Sequence, residues 1–176
     1  MNIWHDVSPE RITPESFVGV MEISKGGKNK YELDKETGLL RLDRVLFTSM
    51  HYPANYGFIP LTYADDHDPL DVLVLCSESI APMTLVSCRP IGMLRMIDDG
   101  QADEKVIAVC LDDPFYNSYN DIDELPPHLF AEIRHFYEVY KSLEHKQTVV
   151  KEIENHVVAM QTIERCMEQY QEAFGK

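Results

Sequence analysis

A chain of 176 residues with 44% hydrophobic and 26% charged side chains has the size and composition of one folded domain, which excludes wholesale disorder. Sixteen basic residues against 30 acidic ones leave a formal net charge of −14. That balance argues against general nucleic-acid or anionic-membrane binding, which needs a basic surface, but it leaves room for an anionic substrate bridged to carboxylates by cations.

The opening segment is polar, with Asp6, Pro9 and Pro14, and has no signal-peptide pattern. No apolar run approaches the ~18 residues of a membrane span. The next two-thirds reads as short strands: Phe17 to Ile23, Lys30 to Leu33, Leu39 to Leu42, Tyr56 to Ile59, Asp71 to Leu75, Leu85 to Arg89, Ile91 to Met96 and Val106 to Val109. Gly26-Gly27, Gly38, Pro53, Pro60, Pro82, Pro90 and Gly100 separate them. Val72-Leu73-Val74-Leu75 is apolar without a break, as expected of a strand covered on both faces. Asp112 to Asp123 is polar and reads as a surface loop.

After Pro126-Pro127 the period changes. Leu129, Ile133, Phe136, Tyr140 and Leu143 form one helical stripe, and Val157, Met160, Ile163, Met167, Tyr170 and Phe174 form a second, ending near Gly175. Strands first and helices afterwards indicate an α+β fold: a small, closed or curled antiparallel β-barrel, OB-like, with C-terminal helices packed on it. No repeat or linker divides the chain, so residues 1–176 read as a single domain. Cys76, Cys88, Cys110 and Cys166 are scattered without Cys-x-x-Cys spacing, the pattern of reduced core thiols in a cytoplasmic protein.

The densest chemical signal is Asp65-Asp66-His67-Asp68-Pro69-Leu70-Asp71-Val72. An acidic turn alone is usually a solvated face. Here Pro69 stiffens the turn and Asp71 is the last polar residue before the apolar run, so its carboxylate is expected at the rim of the core. An unpaired charge there is costly, and a hard cation such as Mg²⁺ or Ca²⁺ removes the cost. An EF-hand loop starting at Asp66 would need Gly sixth and Glu twelfth; Asp71 and Ser77 stand there, which excludes it.

A second cluster, Asp98-Asp99-Gly100-Gln101-Ala102-Asp103-Glu104-Lys105, reads as a hairpin connection with Asp103 and Lys105 on one face. A third joins Glu22, Gly26-Gly27 and Lys30-Tyr31-Glu32, with Lys30 and Glu32 sharing a face. Each pair alone is more often a surface ion pair of little value. Arg44 follows the third strand, Tyr52 to Gly57 is a turn with two aromatics, and Lys141 follows Tyr140 beside the first helical stripe. The seven histidines carry no motif, and no Ser–His or Cys–His nucleophile is indicated.

In order and spacing these clusters resemble the soluble family I inorganic pyrophosphatases, from about Glu22 to Lys141. Asp66 to Val72 is similar to the family's Asp-x-Asp-Pro-x-Asp signature. Glu22, Lys30-Tyr31-Glu32, Asp43-Arg44, Tyr52 to Gly57, Asp98, Asp103, Lys105 and Tyr140-Lys141 match in the same order. His67 departs from the small or turn-forming residue usual there, although His tolerates positive φ better than most bulky residues.

The resemblance implies Mg²⁺-dependent hydrolysis of pyrophosphate by direct attack of a metal-activated water, with Mn²⁺ a possible substitute. It implies that Asp66, Asp71 and Asp103 hold the first metal, with Asp71 bridging to a second. Asp98 and Asp103 would take a third that arrives with the substrate, and Glu22 and Glu32 would help with further cations. By the same resemblance, Lys30, Arg44, Lys105, Tyr140 and Lys141 grip phosphate oxygens, Asp68 is the general base, and Tyr56 hydrogen-bonds within the metal cluster. A cytoplasmic homo-oligomer of unspecified copy number is expected, with neither nucleic acid nor membrane as partner.

The charges agree. Seven carboxylates (Glu22, Glu32, Asp66, Asp68, Asp71, Asp98, Asp103) against four cations (Lys30, Arg44, Lys105, Lys141) leave an excess of three negative charges. Pyrophosphate, with roughly three to four of its own near neutral pH, would be repelled unless divalent ions intervened. The alternatives are a broader metal-dependent phosphoanhydride hydrolase, for which no Gly-x-x-x-x-Gly-Lys loop is present, and a non-catalytic, acidic, cation-binding barrel.

Overall fold

The apolar run Val72 to Leu75 is buried along its whole length. In the computed structural model, which describes residues 1–175, it lies in one of five strands that close into a ring. The strands are β1 (Phe17–Ile23), β2 (Asn29–Leu33), β3 (Leu40–Val45), β4 (Asn55–Phe58), β5 (Asp71–Leu75), β6 (Leu85–Asp98), β7 (Gln101–Cys110) and β8 (Thr148–Asn155). Helices α1 (Pro127–Val139) and α2 (His156–Phe174) complete the chain. The ring runs β1-β4-β5-β7-β6 and closes through β1–β6, with β8 hung on the second half of β6. The expected α+β barrel is therefore present.

One pairing departs from the all-antiparallel expectation: β5 and β7 are parallel, with Asp71 opposite Lys105. The cause is the β6–β7 hairpin, which inserts its second strand beside β5 and leaves its first to reach β1. The hairpin turns on Asp99 and Gly100, both at positive φ (50° and 82°), the geometry of a tight primed turn. The two strands read around Pro90 are one long strand. Its register slips between Pro90 and Gly92, and such a bulge tolerates the missing N–H and bends the strand.

Alternate residues of β5 and β7 face different clusters. Val72, Val74, Val106 and Ala108 pack with Ile163, Cys166 and Tyr170 of α2, whereas Leu73, Leu75, Ile107 and Val109 pack with Ile133, Phe136 and Tyr137 of α1. That two-sided cover explains the unbroken apolar run. The Met and aromatic stripes are therefore core for most of their length. Val157 and Phe174, at the two ends of the second stripe, are exposed, and so is Leu143, which lies past α1 in a single 3₁₀ turn because the helix ends at Val139. All four cysteines are buried and unpaired by disulfides. Gly57 of β4 sits so close to β1 that a Cβ there would lie 1.9 Å from the Val20 carbonyl oxygen, so only glycine fits.

β8 was not foreseen. Most of its side chains are polar or half-exposed, so it lacks the alternation that marks a strand, and it forms by adding to an existing edge of β6. Among the described residues, no helix is long and apolar enough to cross a membrane.

Candidate active site

The acidic clusters meet at one end of the ring. β5 begins there with Asp71, the β6–β7 hairpin brings Asp98, Asp103 and Lys105, and α1 ends nearby at Tyr140-Lys141. The β1–β4 register slips between Met21 and Ile23, so Glu22 stands at a bulge, a device that re-aims a side chain. The separate β2–β3 hairpin forms the opposite wall. Its own register slip sets Lys30 across from Arg44 and Glu32 across from Arg41.

The result is a cleft of about 540 Å³. It is lined by Glu22, Lys30, Glu32, Tyr56, Asp66, Asp68, Asp71, Asp98, Asp103, Lys105, Tyr140 and Lys141, twelve of the thirteen residues expected. Arg44 is the thirteenth and does not line it. Its guanidinium lies between Asp43, at 2.6 Å, and Glu144, at 2.7 Å. Arg41, Lys35, Tyr31 and Trp4 line the cleft and were not foreseen.

Lys105 is the centre. It is 2% exposed, and its Nζ donates to Tyr56 Oη and Asp71 Oδ2, both at 3.0 Å, and to Asp103 at 3.2–3.3 Å. Burial would lower its pKa, but Asp103 and Asp71 more than reverse this and hold it well above the usual lysine value. Lys141 bonds Asp98 Oδ2, while Asp98 Oδ1 is buried without a hydrogen bond. Lys30 contacts Asp43 at 3.2 Å and Glu32 at 3.8 Å. Glu22 Oε2 accepts from the Leu33 N–H at 2.7 Å, tying the two walls together.

Among the described residues, no three His, Cys, Asp or Glu side chains converge closely enough to hold a metal ion. The Lys105 ammonium lies where Asp71 and Asp103 approach each other. The donor set nevertheless fits a hard divalent cation. Every anionic group lining the cleft is a carboxylate, and Asp98 Oδ1 lacks a partner. Burial, followed by the charge of Asp71, pushes Glu22 up to about 8. Burial and the neighbouring Asp71, Asp103 and Asp68 push Asp66 up to about 7. Asp71 rises to about 6, chiefly through burial, although Lys105 opposes the rise. Carboxylates crowded in this way have excess negative charge that a divalent ion relieves.

A pH dependence follows. These raised groups bind protons more tightly in the folded protein than in the unfolded chain. Their stabilising contribution is full below pH ~4 and is lost as pH rises through about 6, 7 and 8. In EDTA, the melting temperature is expected to fall between pH 5 and 8.5. Mg²⁺ is expected to raise it, and by more at pH 8.5 than at pH 5. Asp113, lowered to about 2 chiefly by the Ser77 N–H, acts only below this window. A metal-free melting temperature that climbs across the same range would show that the carboxylates are already compensated.

His67 takes the expected positive φ, 65°, and its Nδ1 shares a 3.0 Å hydrogen bond with the Tyr63 hydroxyl. His67→Gly removes the backbone strain but adds a similar unfolded-state entropy, roughly 0.5–1 kcal/mol in each direction. It is expected to keep the reaction, with a melting temperature within ~2 °C of the parent. Complete loss of activity would give His67 a direct role.

A closed barrel whose open end gathers nine carboxylates around one buried lysine and the buried Tyr56 and Tyr140 has the donors to take a compact, multiply charged anion together with hard cations. Residues 19–171 match the family model described as inorganic pyrophosphatase. Soluble inorganic pyrophosphatase 1 of Arabidopsis thaliana is 48% identical over 169 residues, covering 96% of this chain and 80% of that protein. Soluble inorganic pyrophosphatase 2 of Chlamydomonas reinhardtii is 47% identical, covering 97% and 89%. The inorganic pyrophosphatase structure from Thermus thermophilus superposes with a TM-score of 0.92 at 36% identity, covering 97% of this chain and 99% of that one. The Helicobacter pylori structure gives 0.89 at 40% identity, covering 95% and 99%. The chain belongs to the inorganic pyrophosphatase family.

Proposed function

We propose that this protein hydrolyses inorganic pyrophosphate to two phosphates by direct attack of water, with Mg²⁺ as the working cation. The observation that supports this most is the cleft itself, where Asp66, Asp68, Asp71, Asp98 and Asp103 share one cavity with Lys30, Lys105 and Lys141. Asp66, Asp71 and Asp103 would hold Mg²⁺, and Asp98, Glu22 and Glu32 would hold further ions; when bound, such ions would acidify a water and offset the phosphate charge. Mn²⁺ accepts the same oxygen donors and can substitute.

The chain's own groups do the rest. Asp68, half-exposed at the cleft mouth, takes the proton of the attacking water. Lys30, Lys105, Lys141 and the Tyr140 hydroxyl bind phosphate oxygens, and their charge grows in value as the leaving phosphate departs. Tyr56 accepts from Lys105, which also donates to Asp71, and so helps to hold the lysine beside that carboxylate. Arg44 joins the anion-binding set by releasing Asp43 or Glu144 and turning toward the cleft.

The proposal extends to one catalytic domain over residues 1–176, working in the cytoplasm as a homo-oligomer; sedimentation tests the last part. The reaction is tested by phosphate release from pyrophosphate in Mg²⁺ and in Mg²⁺ with excess EDTA. Fast, EDTA-sensitive release is expected. No release under any divalent ion would leave the carboxylate cluster as a cation-binding surface without turnover.

A further inference from the structure

Lys35 reaches the mouth of the cleft from the β2–β3 turn, and each part of it is held. Its carbonyl accepts from Asn2 Nδ2 at 3.0 Å. The turn around it is closed by the Asp34 carboxylate, which accepts from the N–H groups of Glu36 at 2.9 Å and Thr37 at 3.2 Å. Its ammonium lies 5.3 Å from the centre of the Trp4 ring and donates to Asp68 Oδ1. Trp4 is itself fixed: it is 4% exposed, its Nε1 donates to the Thr62 carbonyl at 2.9 Å, and its own carbonyl accepts from Leu61 at 3.0 Å. Among the described residues, Lys35 is the one side chain hydrogen-bonded to the Asp68 carboxylate.

We infer that Lys35, steered by the Trp4 ring, is the positioning residue for Asp68. It holds one carboxylate oxygen and so fixes the orientation of the other. The inference rests on the pyrophosphatase reading above, with Asp68 as the base. Asp68 needs such a partner because it stands half-exposed on a loop, where a free carboxylate samples several rotamers. A base works only near one orientation toward the proton it accepts. An ion pair this exposed adds little to stability, so its worth lies in orientation. The supports converge from three stretches of chain: Asn2 to Trp4, Asp34 to Thr37, and Leu61-Thr62, just ahead of the Asp-rich loop.

The test is a double-mutant cycle read as kcat and KM for pyrophosphate in Mg²⁺. Lys35→Met is expected to lower kcat about tenfold, the scale of lost supporting contacts, with KM within about twofold. Lys35→Arg, which keeps the donor and the ring contact, is expected to restore most of kcat. In an Asp68→Asn background, Lys35→Met is expected to cost less than about twofold, because the group it positions is already disabled. The same tenfold loss in that background, a loss that falls on KM, or no loss at all would each overturn the inference. A parent protein that releases no phosphate would instead overturn the pyrophosphatase reading, and this inference with it.

Discussion

Asp68→Asn is expected to lower pyrophosphate turnover by about 10²–10⁴-fold, the usual contribution of a positioned general base. Asparagine keeps the shape and the acceptor oxygen that Lys35 uses, but it cannot take a proton. The protein should fold unchanged. Asp68 is about half exposed, and an exposed ion pair such as its contact with Lys35 is worth only ~0–1 kcal/mol. Divalent-ion binding should also survive, because Asp66, Asp71 and Asp103 are untouched; calorimetric titration with Mg²⁺ or Mn²⁺ checks this. A variant that binds metal and turns over at a near-normal rate would remove Asp68 from the base role.

Lys105→Met carries the largest expected effect on stability. Lys105 is 2% exposed and lies between Asp71 and Asp103, so removing its charge leaves two crowded carboxylates facing each other without compensation. Breaking a buried ion pair from one side typically costs about 3–5 kcal/mol. For a chain of this size, that corresponds to a fall in melting temperature of roughly 10 °C in EDTA. Mg²⁺ should return part of the loss, because a cation near Asp71 and Asp103 supplies charge that the lysine no longer does. Turnover should fall even where Mg²⁺ has restored the fold, since Lys105 also binds phosphate in the proposed reaction. A melting temperature in EDTA unchanged by the substitution would mean that Asp71 and Asp103 are protonated or solvated rather than held by Lys105.

Local signals in the sequence made much of this architecture legible. Largely apolar segments flanked by turn residues mark β1 and β5 to the residue, and Pro126-Pro127 marks the start of α1. What could not be read depends on distant partners. The parallel β5–β7 pairing comes from where a hairpin inserts, and β8 from an edge offered by β6. Pro90 signals a break by its chemistry, but the bulge beside it lets the strand continue. The site followed the same division. The Asp-rich loop and the Asp98 to Lys105 hairpin are contiguous in the chain, and the fold brings them together through Asp71 opposite Lys105. Arg44, which the family resemblance puts among the phosphate-gripping residues, does not line the cleft. Its place is set by Glu144, a hundred residues away. Lys35 had no pattern to mark it, since Trp4 and Asn2, which hold it, come from the far side of β1.

In the proposed reaction this cleft takes pyrophosphate and supplies metal-assisted hydrolysis. The most direct measurement is phosphate release from pyrophosphate and from ATP, side by side at pH 7–8, in Mg²⁺ with and without excess EDTA. EDTA-sensitive release from pyrophosphate is expected with kcat/KM at least ~10²-fold above that for ATP, since the cleft is lined mainly by carboxylates and basic side chains suited to a compact, highly charged anion. Comparable rates on both would contradict pyrophosphate selectivity, and release that persists in EDTA would contradict the metal-assisted chemistry.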